Sequence, residues 1–379
     1  MNSHPRLHPV RAVLVAVALV TAAFGAKVEF ESTVFDYGNA DPYDRGNHHG
    51  FNHAPNVAIL PDGRLLAAWF SGAYEGDVHQ AILGATSADG GKTWAPAAPI
   101  VDLPRKSDFD PAFLVRGRRT WMLFTAGRWN RYPFVGLREV ERREVGLDSY
   151  RLHLMHTDDA GRTWSAPAPV GPERRGFCRG NGMVLASGTL LFPVYDDAGE
   201  GKWVTSLLRS RDDGATWQWV GAVGAADGKA GGEPVIAELD GGRVLVAMRS
   251  RDGRVWFAVT RDEGTTWEQP FASDFDGAAS SHALLRTKSG RVLLAYNACK
   301  PPHRTPLVLR ELVDPRAFRW GESIVIAHAP AAPADAWSSQ VSYPSIAETT
   351  PGTLVVVWTE IILSPQRQPG IIRAARVAW

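Results

Sequence analysis

Six segments of the sequence place a polar side chain two or three residues ahead of an apolar run. These polar residues are His53, Asp110, Asn181, Glu233, His282 and Tyr343. Carboxylates, imidazoles and a phenol are side chains that proteins use as general acids, general bases and nucleophiles. The repeated placement suggests a ring of functional groups around one pocket. The alternative is that these side chains only form hydrogen bonds between neighbouring structural units.

The histidines raise the question of a metal or of acid–base chemistry. His48, His49 and His53 lie close together in the sequence, and His282 is distant. The spacing H-H-x3-H is not a recognised zinc pattern, and no cysteine or carboxylate motif completes it. We therefore predict no metal and no cofactor. A histidine acting with Tyr343 as proton donor and acceptor remains an alternative.

The elements that position these residues follow from a repeated pattern in which a glycine-containing turn leads into an apolar strand. The six copies are PDGRLLAAWF (61–70), VRGRRTWMLF (115–124), ASGTLLFPVY (186–195), DGGRVLVAMR (240–249), KSGRVLLAYN (288–297) and TPGTLVVVWT (350–359). Each is typical of a hairpin turn followed by a β-strand.

A second repeat alternates with the first and ends each time in Thr-Trp. Its copies are SADGGKTW (87–94), TDDAGRTW (157–164), SRDDGATW (210–217) and TRDEGTTW (260–267). Asp and Gly suit a tight turn in which side-chain oxygens bind local backbone N–H groups, and the Trp ring packs beneath it. This repeat therefore indicates fold and not catalysis. Arg319-Trp320 is interpreted as a decayed fifth copy.

Six units of about 50 residues, each with several short strands, are typical of a β-propeller. We predict an all-β, six-bladed β-propeller in one domain over residues 26–379. Its ring closes when Val28–Phe35 pairs with the last blade. The charged segment Val135–Val145 is interpreted as a long loop.

The first 25 residues have the pattern of a cleavable secretory signal peptide. Arg6 and Arg11 precede an apolar run, and small residues follow at Ala23 and Gly25. The run is too short for a stable membrane anchor. We therefore expect a secreted or periplasmic protein.

Composition argues against several partner classes. The chain has 41 Lys and Arg against 40 Asp and Glu, with no block of one sign, so nucleic acid is not expected as a partner. We expect a monomer that acts on a glycan. Cys178 and Cys299 are the two cysteines, and whether they pair is open.

Residues 47 to 379 resemble the sialidase superfamily, in particular its bacterial BNR-repeat branch, and the Thr-Trp repeat resembles the Asp-box of that group. The run EPVIAELDGGRVLVAMRS (233–250) resembles the stretch that carries a catalytic Glu and a substrate-binding Arg, here Glu233 and Arg249. PPHRTPLVL (301–309) resembles the site of another binding Arg, here Arg304. VSYPSIAETTPGTLVVVWTE (341–360) resembles the nucleophile segment, with Tyr343 and a closing Glu360.

The resemblance implies an exo-acting glycosidase that releases sialic acid or a related acidic sugar. Tyr343 would be the nucleophile and Glu233 its base, because a neutral phenol avoids repulsion by the sugar carboxylate. Arg249 and Arg304 would pair with that carboxylate. In SGAYEGDVHQAIL (71–83) the acid would be Asp77 or Glu75, and Asp77 is narrowly preferred.

One departure weakens the resemblance. Sialidases carry Arg-Ile-Pro at the first inner strand, and this chain has His53-Ala54-Pro55. A protonated His53, or Arg45 from the preceding loop, would have to replace that arginine.

Two other functions remain open. The first is hydrolysis or lyase cleavage of another acidic glycan with His53 and Tyr343. The second is glycan binding without catalysis. In these and in the sialidase-type function, Trp129, Tyr132 and Trp203 are candidates for stacking on sugar rings.

Overall fold

The computed structural model of the protein describes residues 25–38, 49–128, 150–173, 175–197, 202–331, 338–363 and 370–379. In these ranges the secondary structure is β-strand apart from one 3-10 turn, Asp240–Gly242. The predicted leader (residues 1–24), Arg45, His48, Trp129, Tyr132 and the segment 135–145 lie outside the described residues.

The strands form six antiparallel sheets, and the first three follow one another along the chain. Blade 1 contains β2 (Phe51–Ile59), β3 (Leu65–Gly72), β4 (Ala81–Ser87) and β5 (Ala98–Val101). Blade 2 contains β6 (Ser107–Arg116), β7 (Arg119–Gly127), β8 (Arg151–Thr157) and β9 (Ala168–Pro169). Blade 3 contains β10 (Phe177–Cys178), β11 (Met183–Val184), β12 (Leu190–Asp197), β13 (Trp203–Ser210) and β14 (Gln218–Val223).

The remaining three sheets complete the set. Blade 4 contains β15 (Ala230–Glu238), β16 (Val244–Ser250), β17 (Arg254–Thr260) and β18 (Phe271–Asp276). Blade 5 contains β19 (Ala283–Arg286), β20 (Val292–Asn297), β21 (Leu307–Asp314), β22 (Arg319–Trp320) and β23 (Ile324–Ala327). Blade 6 contains β24 (Ser338–Thr350), β25 (Thr353–Leu363), β26 (Gly370–Ala378) and β1 (Lys27–Phe35).

The ring of blades is closed by pairing of the first strand of the described chain with the last one. β1 pairs antiparallel with β26, so the first strand is the outermost strand of the last blade. The first strand of blade 1, β2, contacts the first strands of blades 2 and 6. The predicted six-bladed propeller and its closure by Val28–Phe35 are confirmed.

The apolar core is divided into layers between neighbouring blades. Each Thr-Trp repeat contributes its tryptophan to the layer that its blade shares with the preceding one. These tryptophans are Trp94, Trp164, Trp217 and Trp267. Trp320 occupies the same place between blades 4 and 5, as expected of a decayed fifth copy.

The aspartates of the repeat stabilise the turn that precedes the last strand in each of blades 1 to 4. In the third copy, Asp212 accepts hydrogen bonds from Ser210 Oγ, the Thr216 backbone N–H and Thr216 Oγ1. The same bonds form at Asp89, Asp159 and Asp262. Hydrogen bonds from Thr216 lower the pKa of Asp212 to about 2. These bonds are consistent with a turn-stabilising role, as predicted.

Four innermost strands share a local distortion near their first residues. Each contains a residue with positive φ followed by proline, and the strand register shifts there. The four pairs are Ala54–Pro55, Asp110–Pro111, Glu233–Pro234 and Tyr343–Pro344. Positive φ is uncommon for residues other than glycine, and bulges of this kind redirect side chains. We call these four features the axial bulges.

Candidate active site

A cavity of about 420 Å³ opens at the end of the propeller where the innermost strands begin. All six blades contribute to its lining. The lining residues are His53, Phe70, Glu75, Phe109, Asp110, Tyr150, Phe177, Tyr195, Trp203, Glu233, Arg249, Arg304 and Tyr343. Three of the axial bulges, at Asp110, Glu233 and Tyr343, direct their own side chains into it.

Tyr343, Glu233 and Arg249 form a closed set of hydrogen bonds on one side of the cavity. Tyr343 Oη donates to Glu233 Oε1 at 2.7 Å. Arg249 Nη1 donates to Glu233 Oε1 at 2.6 Å and to Tyr343 Oη at 2.8 Å. Glu233 Oε2 is buried without a hydrogen-bond partner. The Glu233 carboxylate therefore accepts hydrogen bonds from both the phenol and the neighbouring guanidinium.

The environment of Tyr343 favours the neutral phenol until its proton is taken. Burial raises the pKa of Tyr343 well above its ordinary value, Arg249 and Arg304 act against this rise, and Glu233 adds to it. Burial lowers the pKa of Arg249, but Glu233, Tyr343 and Tyr195 together outweigh burial and raise it. The arginine thus stays charged beside the phenol.

Arg304 approaches the same phenol from blade 5. Its guanidinium carbon lies 5.5 Å from the centre of the Tyr343 ring. Its Nη2 donates to the Ala279 carbonyl at 2.9 Å, and its Nη1 donates to Gln340 Oε1 at 3.4 Å. These bonds orient a second guanidinium toward the cavity that Arg249 also lines.

His53 occupies the place where the resemblance implies an arginine. Its ring centre lies 4.1 Å from that of Tyr343, and among the described residues its buried Nδ1 has no hydrogen-bond partner. Burial lowers the pKa of His53 well below its ordinary value, and Arg304, Arg179 and Arg249 lower it further. The imidazole is therefore neutral at neutral pH, and it offers no charge to pair with a carboxylate.

An arc of aromatic rings continues from His53 around blades 1 to 3. Consecutive ring centres lie 5.1 to 6.0 Å apart. The arc runs through His53, Phe70, Phe109, Tyr150, Phe177 and Tyr195. Separations of this size are those of packed aromatic pairs. We call this feature the aromatic arc.

Asp110 is a partly buried carboxyl group beside the aromatic arc. Burial raises its pKa to about 8, and the nearby Glu233 and Glu75 contribute to the rise, while Arg179 opposes it. At neutral pH the group is therefore protonated.

The two predicted acid candidates differ in position. Glu75 lines the cavity. The Asp77 carboxylate instead accepts hydrogen bonds from the backbone N–H groups of Ala73 and His79, and the residue is 4% exposed. Asp77 thus stabilises the loop from which Glu75 reaches the cavity.

Three predicted site residues lie elsewhere. Asn181 and His282 line a second cavity of about 440 Å³ formed by the later parts of the innermost strands. Asn181 there accepts from the Phe113 N–H and donates to the Val57 carbonyl, the inter-blade role weighed as the alternative. Glu360, on β25, is half-buried, with Arg373 and Glu31 among its nearest charges. These three residues do not join the group around Tyr343.

Arg179 and all members of the aromatic arc except His53 were not predicted as site residues. Trp203, which lines the cavity outside the arc, was predicted. Arg179 is 1% exposed and lies 5.3 Å from the Tyr343 ring centre. Trp203 lines the cavity under the guanidinium groups of Arg249 and Arg251, at 5.2 and 4.1 Å. The proline of each axial bulge was visible in the sequence and is the signal that could have located the cavity.

Neither of the two cysteines forms a disulfide bond. Cys178 is buried, Cys299 is partly exposed, and both are free thiols. Within the described ranges, no group of three or more His, Cys, Asp or Glu side chains is arranged to hold a metal ion. In the same ranges, no helix is long and apolar enough to cross a membrane.

Comparison with known proteins identifies the family. The BNR repeat-like domain matches residues 63–356. The chain belongs to the BNR repeat-like family. Among curated relatives of this BNR repeat-like protein, a sialidase from Micromonospora viridifaciens is 28% identical over 296 residues, which cover 69% of this chain and 44% of the relative. A sialidase from Bacteroides fragilis is 24% identical over 241 residues, covering 57% of this chain and 42% of the relative.

Solved structures agree on the fold of this BNR repeat-like protein. A protein of unknown function from Dyadobacter fermentans has a TM-score of 0.73 at 19% identity, covering 93% of this chain and 99% of the other. The NanB sialidase from Streptococcus pneumoniae has a TM-score of 0.71 at 14% identity, covering 91% and 70%. The match spans less than half the length of either curated relative. The predicted sialidase-like superfamily is confirmed.

Proposed function

We propose that the protein is a secreted glycoside hydrolase of the sialidase type, which releases terminal sialic acid or a related acidic sugar from glycans. The observation that carries this proposal is the 2.7 Å hydrogen bond from Tyr343 Oη to Glu233 Oε1, with Arg249 bonded to both. A nucleophile, its proton acceptor and a cation meet there in one cavity. The sialidase relatives support the proposed reaction class.

In the first step, Tyr343 Oη attacks the anomeric carbon while its proton passes to Glu233. The raised pKa of Tyr343 makes this transfer necessary, because a neutral phenol is a weak nucleophile. Arg249 stabilises the negative charge that develops on the phenol oxygen during the transfer. The product is a glycosyl–tyrosine intermediate.

The sugar carboxylate would bind to the guanidinium groups of Arg249 and Arg304. Both line the cavity, and both are fixed by other hydrogen bonds, so that little ordering is needed when a substrate arrives. Neutral His53 adds a hydrogen-bonding nitrogen and no charge. We therefore expect the sugar carboxylate to bind more weakly than it would to three arginines.

Glu75 is our candidate for the general acid. It lines the cavity from the loop between β3 and β4, whereas the Asp77 carboxylate is held by backbone N–H groups. Glu75 would protonate the leaving oxygen and then take a proton from the water that attacks the anomeric carbon. Tyr343 leaves in that second step and regains its proton from Glu233.

The test compares the wild-type protein with Tyr343→Phe on a fluorogenic aryl sialoside. We expect the wild type to release free sialic acid and the variant to lose kcat/KM by about a thousandfold or more, because the nucleophilic oxygen is gone. The Phe ring preserves the packing on His53, so unfolding temperatures should agree. Full activity in the variant would remove the mechanism.

A second candidate is elimination on a uronate-containing polysaccharide with His53 and Tyr343 as the proton-transfer pair. It is favoured by one observation, the neutral imidazole packed 4.1 Å from the phenol with an unpartnered Nδ1. Cleavage of this kind creates an unsaturated product that absorbs in the ultraviolet. No absorbance change across a panel of uronate polymers would reject it.

A further inference from the structure

The segment Cys178–Gly180 in blade 3 touches all four axial bulges. Arg179 Nη2 donates to the carbonyl of Pro55 at 3.1 Å and to that of Tyr343 at 3.0 Å. The Cys178 thiol donates to the carbonyl of Asp110 at 3.2 Å. A Cβ at Gly180 would lie 2.5 Å from the carbonyl oxygen of Pro234, so only glycine allows this approach. One short segment thus reaches blades 1, 2, 4 and 6.

Arg179 makes the largest share of these contacts. In addition to its bonds to Pro55 and Tyr343, its Nη2 lies 3.3 Å from the Pro344 carbonyl as a third acceptor. Backbone carbonyls carry partial negative charge, so one guanidinium holds the backbone at the base of Tyr343 and His53 in a single arrangement. The bulge at Tyr343 has a φ of 58°, a conformation that persists only where its surroundings enforce it.

Arg179 also places a positive charge beneath the phenol. Its guanidinium carbon is 5.3 Å from the Tyr343 ring centre, and the residue is 1% exposed. Arg304 lies at 5.5 Å from the same ring, and Arg249 binds the oxygen. Tyr343 is therefore surrounded by three guanidinium groups. Of these, Arg249 and Arg304 line the cavity, while Arg179 is buried in the protein.

We propose that Arg179 is a positioning residue that fixes the backbone of the nucleophile and maintains a permanent positive charge below its ring. The catalytic consequence rests on the proposed function, since it concerns Tyr343 as nucleophile. A cation in this place lowers the free energy of the developing phenolate during attack, and again when the phenolate leaves the sugar. Because Arg179 is buried, it acts without touching the substrate.

The charge of Arg179 reaches other groups of the cavity. It lowers the pKa of His53 together with Arg304 and Arg249, and it opposes the rise in the pKa of Asp110. His53 packs on Tyr343, so its imidazole reports the electrostatic field at the nucleophile without any substrate.

The experiment compares Arg179→Lys, which keeps the charge, with Arg179→Met, which removes it at similar length. For Arg179→Met we expect kcat to fall about a hundredfold with KM little changed, because a small displacement of the nucleophile has an effect of this size. Arg179→Lys should lose less. Thermal unfolding, recorded for each variant, measures any loss of the carbonyl contacts.

The second readout is the proton NMR titration of the His53 ring, assigned by loss of its signal in His53→Gln. We expect a higher pKa of His53 in Arg179→Met than in Arg179→Lys, because removal of a cation favours the charged imidazole. The Arg304, Arg249 and Tyr343 neighbours are the same in both variants.

The outcomes separate the alternatives. Equal losses of kcat in both variants, matched by equal losses of stability and an unmoved pKa of His53, would overturn the proposal in favour of a purely structural role. If Arg179→Met does not fold, Arg179→Gln takes its place as the uncharged variant, and losses of kcat equal to those of Arg179→Lys, with an unmoved pKa of His53, would overturn the proposal as well. If the wild type hydrolyses no sialoside, the proposed function fails, and the His53 titration still decides whether Arg179 acts on the nucleophile.

Discussion

The two halves of the cavity wall are built by different means. Blades 4 to 6 contribute Glu233, Arg249, Arg304 and Tyr343, in which charge is paired and hydrogen bonds are short. Blades 1 to 3 contribute the aromatic arc, in which the contacts are ring to ring. The polar half suits a reaction that creates and moves charge, and the aromatic half suits the binding of apolar sugar faces and substituents.

The carboxyl groups show what this difference does. Glu233, in the polar half, accepts from Arg249 and Tyr343 and can serve as a proton acceptor. Asp110, beside the aromatic arc, has its pKa raised to about 8 by burial. Axial bulges of the same kind place both residues, so their different surroundings come from neighbouring side chains and not from the local backbone.

The largest effect is expected for Glu233→Gln. It removes the proton acceptor of Tyr343, so kcat should fall by about a thousandfold, within the range of general acid–base catalysis. It also leaves the partly buried Arg249 without its carboxylate partner, which should cost up to about 3 kcal/mol of unfolding free energy, at the lower end of the range for buried pairs. Steady-state kinetics and urea unfolding measure the two effects.

A double variant checks the pairing behind that prediction. Adding Arg249→Met to Glu233→Gln should recover part of the lost stability, because no unpaired charge remains buried, and should recover no activity. Additive losses of stability would show that the pair is not coupled, and the contrast between the two halves would then lose its basis.

The next largest effect is expected for the proposed general acid Glu75, which belongs to blade 1. Glu75→Gln should slow hydrolysis of natural glycans, whose leaving groups need a proton, by about a hundredfold. Aryl sialosides with acidic leaving groups should be much less affected. Asp77→Asn is the matched control, and it should act through the loop without dependence on the leaving group. The reverse pattern would transfer the role to Asp77.

The sequence was sufficient for the architecture because each turn carries its own chemistry. The hydrogen bonds of Asp212 are local, and the pattern recurs in four copies. The polar ring was less well determined. Its members at 53, 110, 233 and 343 lie at or beside the axial bulges and line the cavity. Asn181 and His282 lie in blades without such a bulge, and they line the other cavity.

The other cavity residues depend on contacts between blades. The spacing of residues along the sequence does not encode these contacts. Arg179 lies 164 positions from Tyr343 in the chain, and nothing in its local sequence indicates that they meet. Phe70 on β3 and Tyr195 on β12 belong to apolar runs that have the composition of ordinary core strands. Their exposure to a cavity arises only because the blades meet around an axis.

A smaller effect is expected from Asp110→Asn as a function of pH. In the folded protein the pKa of Asp110 is about 8, against about 4 in the unfolded chain, so the folded state holds a proton that the unfolded state releases between these values. The stabilising contribution of Asp110 is therefore complete below pH 4 and is lost as the pH rises to about 8. Asn cannot titrate, and it tolerates a positive φ.

Unfolding in urea at pH 5 and pH 8 measures this contribution. The difference in unfolding free energy between wild type and Asp110→Asn should fall with pH by at most about 1.4 kcal/mol per unit. Asp108, whose pKa is also raised to about 8, is present in both proteins and cancels. A difference that stays constant between pH 5 and pH 8 would mean that the pKa of Asp110 is not raised in the folded state, and the two halves would be alike.

The smallest effect is expected in the aromatic arc itself. Phe109→Leu removes a ring that packs on Phe70 at 5.1 Å and on Tyr150 at 6.0 Å, while keeping an apolar side chain. KM should rise by up to about tenfold, the value of one aromatic contact, and kcat should change little. Phe271→Leu is the control, since Phe271 also packs on aromatic rings but lies outside this cavity. This substitution leaves the polar half unchanged. A loss in kcat would therefore mean that the arc helps to position the reacting groups, and the assignment of catalysis to one half and binding to the other would be wrong.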